Sequence, residues 1–261
     1  MGHVRLGTLP MTRSWQQVVD LLDTRADVME IAAATSAAAR SGFEQANGDP
    51  ALVESFWLLT QLPLAAREPD FVAGLRERGI DVHQPPTLVE LAAAFTEAVD
   101  GRMRLKGGRT DLGEMAELAA IETLTEVVGA RLPTLFGNTP TDVQSVLSGL
   151  ATEKQFGAFA RDFFSRFVKR YFDYYLSREL SAHVGGGSRF QSIDEHAEFN
   201  KALAQHCFET ARIVEDFAGQ WFSKTNWEHG ITRRRSEGFA YVAFKKLGAE
   251  LRKREGNNDG R

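Results

Sequence analysis

Three consecutive arginines, Arg233, Arg234 and Arg235, follow Thr232 directly. Thr232 is a helix-capping residue, so the triplet falls in a first helical turn. Unsatisfied amides make that end of a helix electropositive, and a cation there costs about 0.3–1 kcal/mol. A pattern that costs helix stability implies a counter-charge. The counter-charge is either acids elsewhere on the chain or the phosphates or acidic surface of a partner. Lys245, Lys246 and the run Arg252-Lys253-Arg254 follow along the same helix. From Lys224 onward ten Lys or Arg face five Asp or Glu, an excess of five positive charges. The whole chain is −4, so residues 1–223 carry −9. An acidic body repels a long polyanion, which ranks an acidic protein partner ahead of nucleic acid and leaves nucleic acid open.

A second cluster is His196, His206, Cys207 and Glu209 on one helical stretch. Helix-borne metal ligands must lie one turn apart. His206 and Glu209 meet that spacing and His196 does not. A di-metal carboxylate site wants Glu-x-x-His motifs, and the chain has none. No metal and no other cofactor is therefore expected. His206 and Glu209, with Tyr174 or Tyr175, are the candidate wall of a pocket among the C-terminal helices. The plainer alternative makes His206 a hydrogen-bonded core or interface residue and Cys207 a small buried apolar group. His183 and His229 fall at helix ends and read as caps.

Other chemistry is sparse. There is no phosphate loop, HExxH, GxSxG or CxxC. Gly185-Gly186-Gly187-Ser188-Arg189 precedes a helix, and its amides could hold an anion. It lacks the strand and lysine of a phosphate loop, and a helix–helix turn is the favoured reading. Glu114, Glu117, Glu122 and Glu126 spread around a helical wheel and read as a solvated face. No acid–base pair emerges, so an enzymatic role is not the favoured one.

Helices must position these residues. Residues 153–182 place Phe156, Phe159, Phe163, Phe167, Tyr171 and Tyr174 at steps of three and four, one side of a helix roughly 40 Å long. Asp162, Arg166, Lys169 and Asp173 repeat on the other side. Capping boxes are expected at Ser14/Gln17, Thr87/Glu90, Thr141/Gln144 and Ser192/Glu195, with a similar pair at Asp111/Glu114. An Ala-rich helix covers about 26–46, and Asp49-Pro50 opens another that Pro63 should end or kink. Phe199, Leu203, His206, Thr210, Val214, Phe217 and Trp221 form a seam of one helix, able to pack on the aromatic helix. Phe163 and Phe167 are expected against Phe217 or Trp221.

The fold expectation is all-α, an irregular multi-helix bundle around a long central aromatic-rich helix. With 261 residues, 43% hydrophobic, the chain can bury a full core as a single helical domain. A subdivision would fall at residues 1–84, 85–140 and 141–255. One cysteine allows no internal disulfide, and no signal pattern or membrane-length apolar run occurs. The cytoplasm is the simplest compartment. The leading functional expectation is a non-catalytic helical adaptor or structural subunit with a protein partner and no membrane. A bacterial-type complex acting on nucleic acid, in DNA processing or anti-phage defence, is one setting, though no residue points to it specifically. The alternative is a small-molecule binder or enzyme with a pocket between the C-terminal helices.

Overall fold

The computed structural model describes residues 9–39, 48–133, 139–185 and 188–253, with the side chains of 252 and 253 excepted. Among these residues the protein is an all-α bundle of eleven helices. They are α1 (Arg13–Asp23), α2 (Val28–Ala38), α3 (Pro50–Ala65), α4 (Phe71–Glu77), α5 (Leu88–Lys106) and α6 (Asp111–Gly129). Then come α7 (Pro140–Gly149), α8 (Glu153–Ala182), α9 (Ile193–Thr210), α10 (Arg212–His229) and α11 (Arg233–Lys253). The one extended pairing among them is an isolated bridge between Val184 and Phe190.

The aromatic helix is α8, and it packs against α6, α9 and α10. Its apolar surface is wider than one stripe. Phe164, Val168 and Phe172 are buried as completely as Phe163 and Phe167. Phe163 meets Phe56 of α3 at 5.7 Å between ring centroids, and Phe167 meets Phe244 of α11 at 5.1 Å. This corrects the expected partners. Phe217 and Trp221 instead pack on Phe239, at 5.0 and 4.3 Å. The reason lies in α3, buried on nearly every side and touching α5, α6, α7 and α11. A helix apolar all round belongs at the centre of a bundle, and Phe56 fills the space the sequence reading gave to Trp221.

The contact of α8 with α10 depends on two glycines. A Cβ on Gly219 would lie 2.0 Å from the Glu153 carbonyl oxygen, and one on Gly157 would lie 3.0 Å from that of Glu215. Here the helix backbones nearly touch, which no larger side chain permits.

Local chemistry explains the helix starts and corrects several. Thr87 and Glu90 form the expected reciprocal box, with Thr87 N donating to Glu90 Oε2 at 2.8 Å. Asp49 caps α3 and Pro50 takes its first position; the helix runs only two residues past Pro63. The cap of α1 is Thr12 rather than Ser14, and that of α6 is Thr110 rather than Asp111. The box opening α7 is Thr139/Asp142 rather than Thr141/Gln144. In each case a hydroxyl slightly upstream reaches the amide. The expected seam from Phe199 to Trp221 is broken at Ala211, where α9 ends and α10 begins without a side-chain cap. The Ala-rich helix, expected over about 26–46, ends at Ala38, and residues 40–47 lie outside the described residues.

Candidate functional site

Helix α11 begins as its cap predicts, with Arg235 N donating to Thr232 Oγ1 at 3.3 Å. The three arginines then diverge. Arg233 turns inward and grips Glu54 of α3 with two bonds, Nε to Oε2 at 2.5 Å and Nη2 to Oε1 at 2.7 Å. Its guanidinium lies 3.6 Å from the centroid of the Trp57 ring. Glu54 is only 3% exposed, and Arg102 Nε of α5 approaches it at 3.7 Å. A buried carboxylate is thus shared by two cations, which tie α11 and α5 to α3. Arg235 bends back, and its Nη1 donates to the carbonyls of His229 at 3.1 Å and Gly230 at 2.9 Å. These bonds satisfy carbonyls at the end of α10. Arg234 points to solvent.

The outward face of α11 therefore carries Arg234, Glu237, Tyr241, Val242, Lys245 and Lys246, three cations against one acid. Tyr241 is 52% and Val242 40% exposed. Lys246 also sits 5.3 Å from the Phe217 ring. The opposite face, Phe239, Ala240, Ala243, Phe244 and Leu247, is core. Gly238 lies between Arg234 and Tyr241 on the outer face, with open space where a side chain would stand. The side chains of Arg252 and Lys253, and all of Arg254, lie outside the described residues.

The four expected pocket residues do not converge. Tyr174 and Tyr175 line a cavity of about 540 Å³ whose other described walls are the starts of α3 and α6. Neither His206 nor Glu209 is on that wall. They stand on α9, which packs on α8 and α2. His206 is buried, and exposed Glu209 accepts from Gln205 Nε2 at 2.8 Å. Cys207 is buried as well, and burial pushes its thiol up to about 12. His183 ends α8 as a cap. Burial pulls its pKa down, but the Glu179 carbonyl at 2.5 Å and the Asp23 carboxylate at 2.9 Å outweigh that and raise it. In the glycine loop, Arg189 turns away toward the α1–α2 connection, where it donates to Ala26 O.

Glu117 and Glu122 of α6 correct the solvated-face reading, while Glu126 is exposed as expected. Glu122 binds both Arg166 and Arg170 of α8, the latter at 2.6 Å. Arg166 also holds Asp162 at 3.1 Å, and Lys169 holds Asp173 at 2.5 Å. This network lines a polar groove between α6, α8 and α9. Glu117 is buried, and desolvation pushes it up to about 7 against the opposing pull of Arg109, 3.6 Å away. The spacing of Asp162, Arg166, Lys169 and Asp173 signalled the polar face of α8, but not the α6 acid that joins it. Among the described residues no group of three or more His, Cys, Asp or Glu could hold a metal ion, and no helix is long and apolar enough to cross a membrane. No protein-family model, curated protein or solved structure shows significant similarity to the chain.

Proposed function

We propose that this chain is a non-catalytic helical binding subunit that docks an acidic protein surface on the outward face of α11. One observation carries the reading: an exposed aromatic, Tyr241, lies on the same helical stripe as Arg234 and Lys245, with Val242 beside it. Tyrosine and arginine are enriched where protein partners meet, and flanking cations favour an acidic surface. Arg233 and Arg235 belong to the internal structure and lie outside this face. Nucleic acid is the competing occupant. The described cations here, Arg234, Lys245 and Lys246, would support few phosphate contacts beside a body of net −9.

A photo-crosslinking residue at Tyr241, with Val89 on α5 as an exposed control site, tests this in the source cell. A discrete acidic protein crosslinked from 241 alone, and lost in Arg234→Glu/Lys245→Glu, is the expected result. Equal labelling from both sites, or crosslinks to nucleic acid in place of protein, would overturn it.

A further inference from the structure

We infer that the acidic partner meets this chain with an amphipathic helix, laid along the seam between α10 and α11 and anchored on Trp227. The inference rests on the docking reading above and names the element the partner presents. The seam is built by the two helices together. Three residues separate them, and Arg235 ties the first turn of α11 to the His229 and Gly230 carbonyls at the end of α10. Phe217 and Trp221 of α10 pack on Phe239, yet both remain half-buried. Lys246 lies over the Phe217 ring, and Val242, one turn earlier on α11, is 40% exposed. Apolar surface therefore reaches solvent along the junction. Gln220, Lys224 and Trp227 form an exposed row on α10 beside it. Trp227 is 90% exposed, the most open aromatic ring among the described residues. Tryptophan is enriched among the few residues that carry the binding energy of an interface.

Charge selects the occupant. Lys224, Arg234, Arg235, Lys245 and Lys246 flank the seam. Arg235 bonds only neutral carbonyls there, so its charge adds to the others. Asp216, Glu228 and Glu237 oppose them, and Glu228 stands 3.8 Å from His229. The seam is thus positive by two on a body that is otherwise acidic, which suits an acidic partner element. Shape selects a helix. No strand occurs among the described residues, so an extended partner segment finds no sheet edge to join. The outward row Arg234, Gly238, Tyr241 and Lys245 advances by four, three and four residues, three helical turns over about 16 Å. Gly238 lowers the ridge in the middle of that row. Glycine inside a helix weakens it relative to alanine, and nothing internal requires one here, since open space surrounds the place of the missing side chain. Gly219 and Gly157 let α10 and α8 approach backbone to backbone. Gly238 offers the same close approach on the outside, with acids of the docked helix reaching Arg234 and Lys245 at its two ends.

Photo-crosslinking of the full chain in the source cell tests this, with p-benzoylphenylalanine placed in turn at 227, 241, 242 and 245. Mass spectrometry then locates the crosslinked residues of the captured protein. We expect the acidic protein captured from 241 to be captured from 227 as well, through residues of one segment spaced by three, four or seven. Binding of that purified protein to variants of this chain gives a second reading. Trp227→Ala should weaken it at least about thirtyfold, as loss of an interface anchor does. Gly238→Leu fills the open space and should weaken it about tenfold without lowering the unfolding midpoint. Crosslinks into a proline-rich extended stretch, or scattered over distant parts of the captured protein, would overturn the helix and leave the docking face standing. Binding of both variants within about twofold of wild type would do the same. If 241 captures no acidic protein, the docking reading and this inference fall together.

Discussion

Replacing Arg233 with alanine separates the internal role of the arginine triplet from any external one. The change removes both bonds to Glu54 and the stack on Trp57, and leaves a carboxylate that is 3% exposed. Stripping one partner from a buried ion pair costs about 3–5 kcal/mol. Two features pull that down. Arg102 stays 3.7 Å from Glu54, and the Arg233 side chain is itself 39% exposed. The lost stack restores roughly 0.5–1 kcal/mol. The expected loss is therefore about 3 kcal/mol, or near 1 M in the urea midpoint for a slope of roughly 3 kcal/mol/M. Arg234→Ala, at a solvent-facing position, should stay within about 0.5 kcal/mol of wild type. Arg235→Ala removes bonds to two carbonyls and should cost about 1 kcal/mol. Glu54→Met/Arg233→Met should recover much of the loss, since apolar side chains of similar size replace buried pairs well. If Arg233→Ala and Arg234→Ala shift the midpoint equally, the strut adds nothing to stability and the reasoning fails.

Phe167→Ala should cost about 3–5 kcal/mol in chemical unfolding, as large aromatic truncations in cores do, because its ring is fully buried beside Phe244. Gly219→Ala must push α10 from the Glu153 carbonyl and should cost about 1–3 kcal/mol, read from the thermal midpoint. Glu117 holds its proton more tightly folded than unfolded. Its contribution is complete below the unfolded pKa of 4.5 and is lost as pH rises through about 7. Glu117→Gln should flatten that fall and raise stability at alkaline pH by about 1–2 kcal/mol, discounted for the near-surface setting, in urea midpoints compared across pH. Cys207 should resist alkylation in the native state and react only on unfolding, followed by mass spectrometry, because its buried thiol titrates near 12.

Much of the fold was legible because it rests on local rules. Thr87/Glu90, Asp49-Pro50 and Thr232 act within four residues of chain, and the aromatic spacing of α8 directly reports a buried helix. The break at Ala211 was not legible. Neither glycine nor proline marks it, and the apolar period continues through it unchanged. Glu54 carries a signal in the sequence, a single acid between Val53 and Phe56-Trp57 in an otherwise apolar helix. Such a residue must find a cation, and the arginine triplet lacked an acid. Each half was visible, but the pairing spans 179 positions and depends on α11 crossing α3. Glu117 and Glu122 of α6 depart from a solvated face for a related reason. A helical wheel shows where a side chain points, not what another element brings to that side: two arginines of α8 pair with Glu122, and the α5–α6 turn brings Arg109 over Glu117.

The same distinction governs the functional reading. A cation in a first turn is unfavourable wherever its counter-charge comes from, so the cost argument alone treats Arg233, Arg234 and Arg235 alike. Geometry separates them. Arg233 meets a buried carboxylate, Arg235 meets carbonyls of the preceding helix, and only Arg234 of the three turns fully outward. A triple substitution would therefore destabilise the bundle and weaken any docking at once, so loss of binding would say nothing about the face. Charge reversal at Arg234 and Lys245 leaves the Glu54 strut and the packing of Phe239 and Phe244 on Phe164 in place. Binding lost in that pair with the unfolding midpoint unchanged would belong to the outward face of α11 alone.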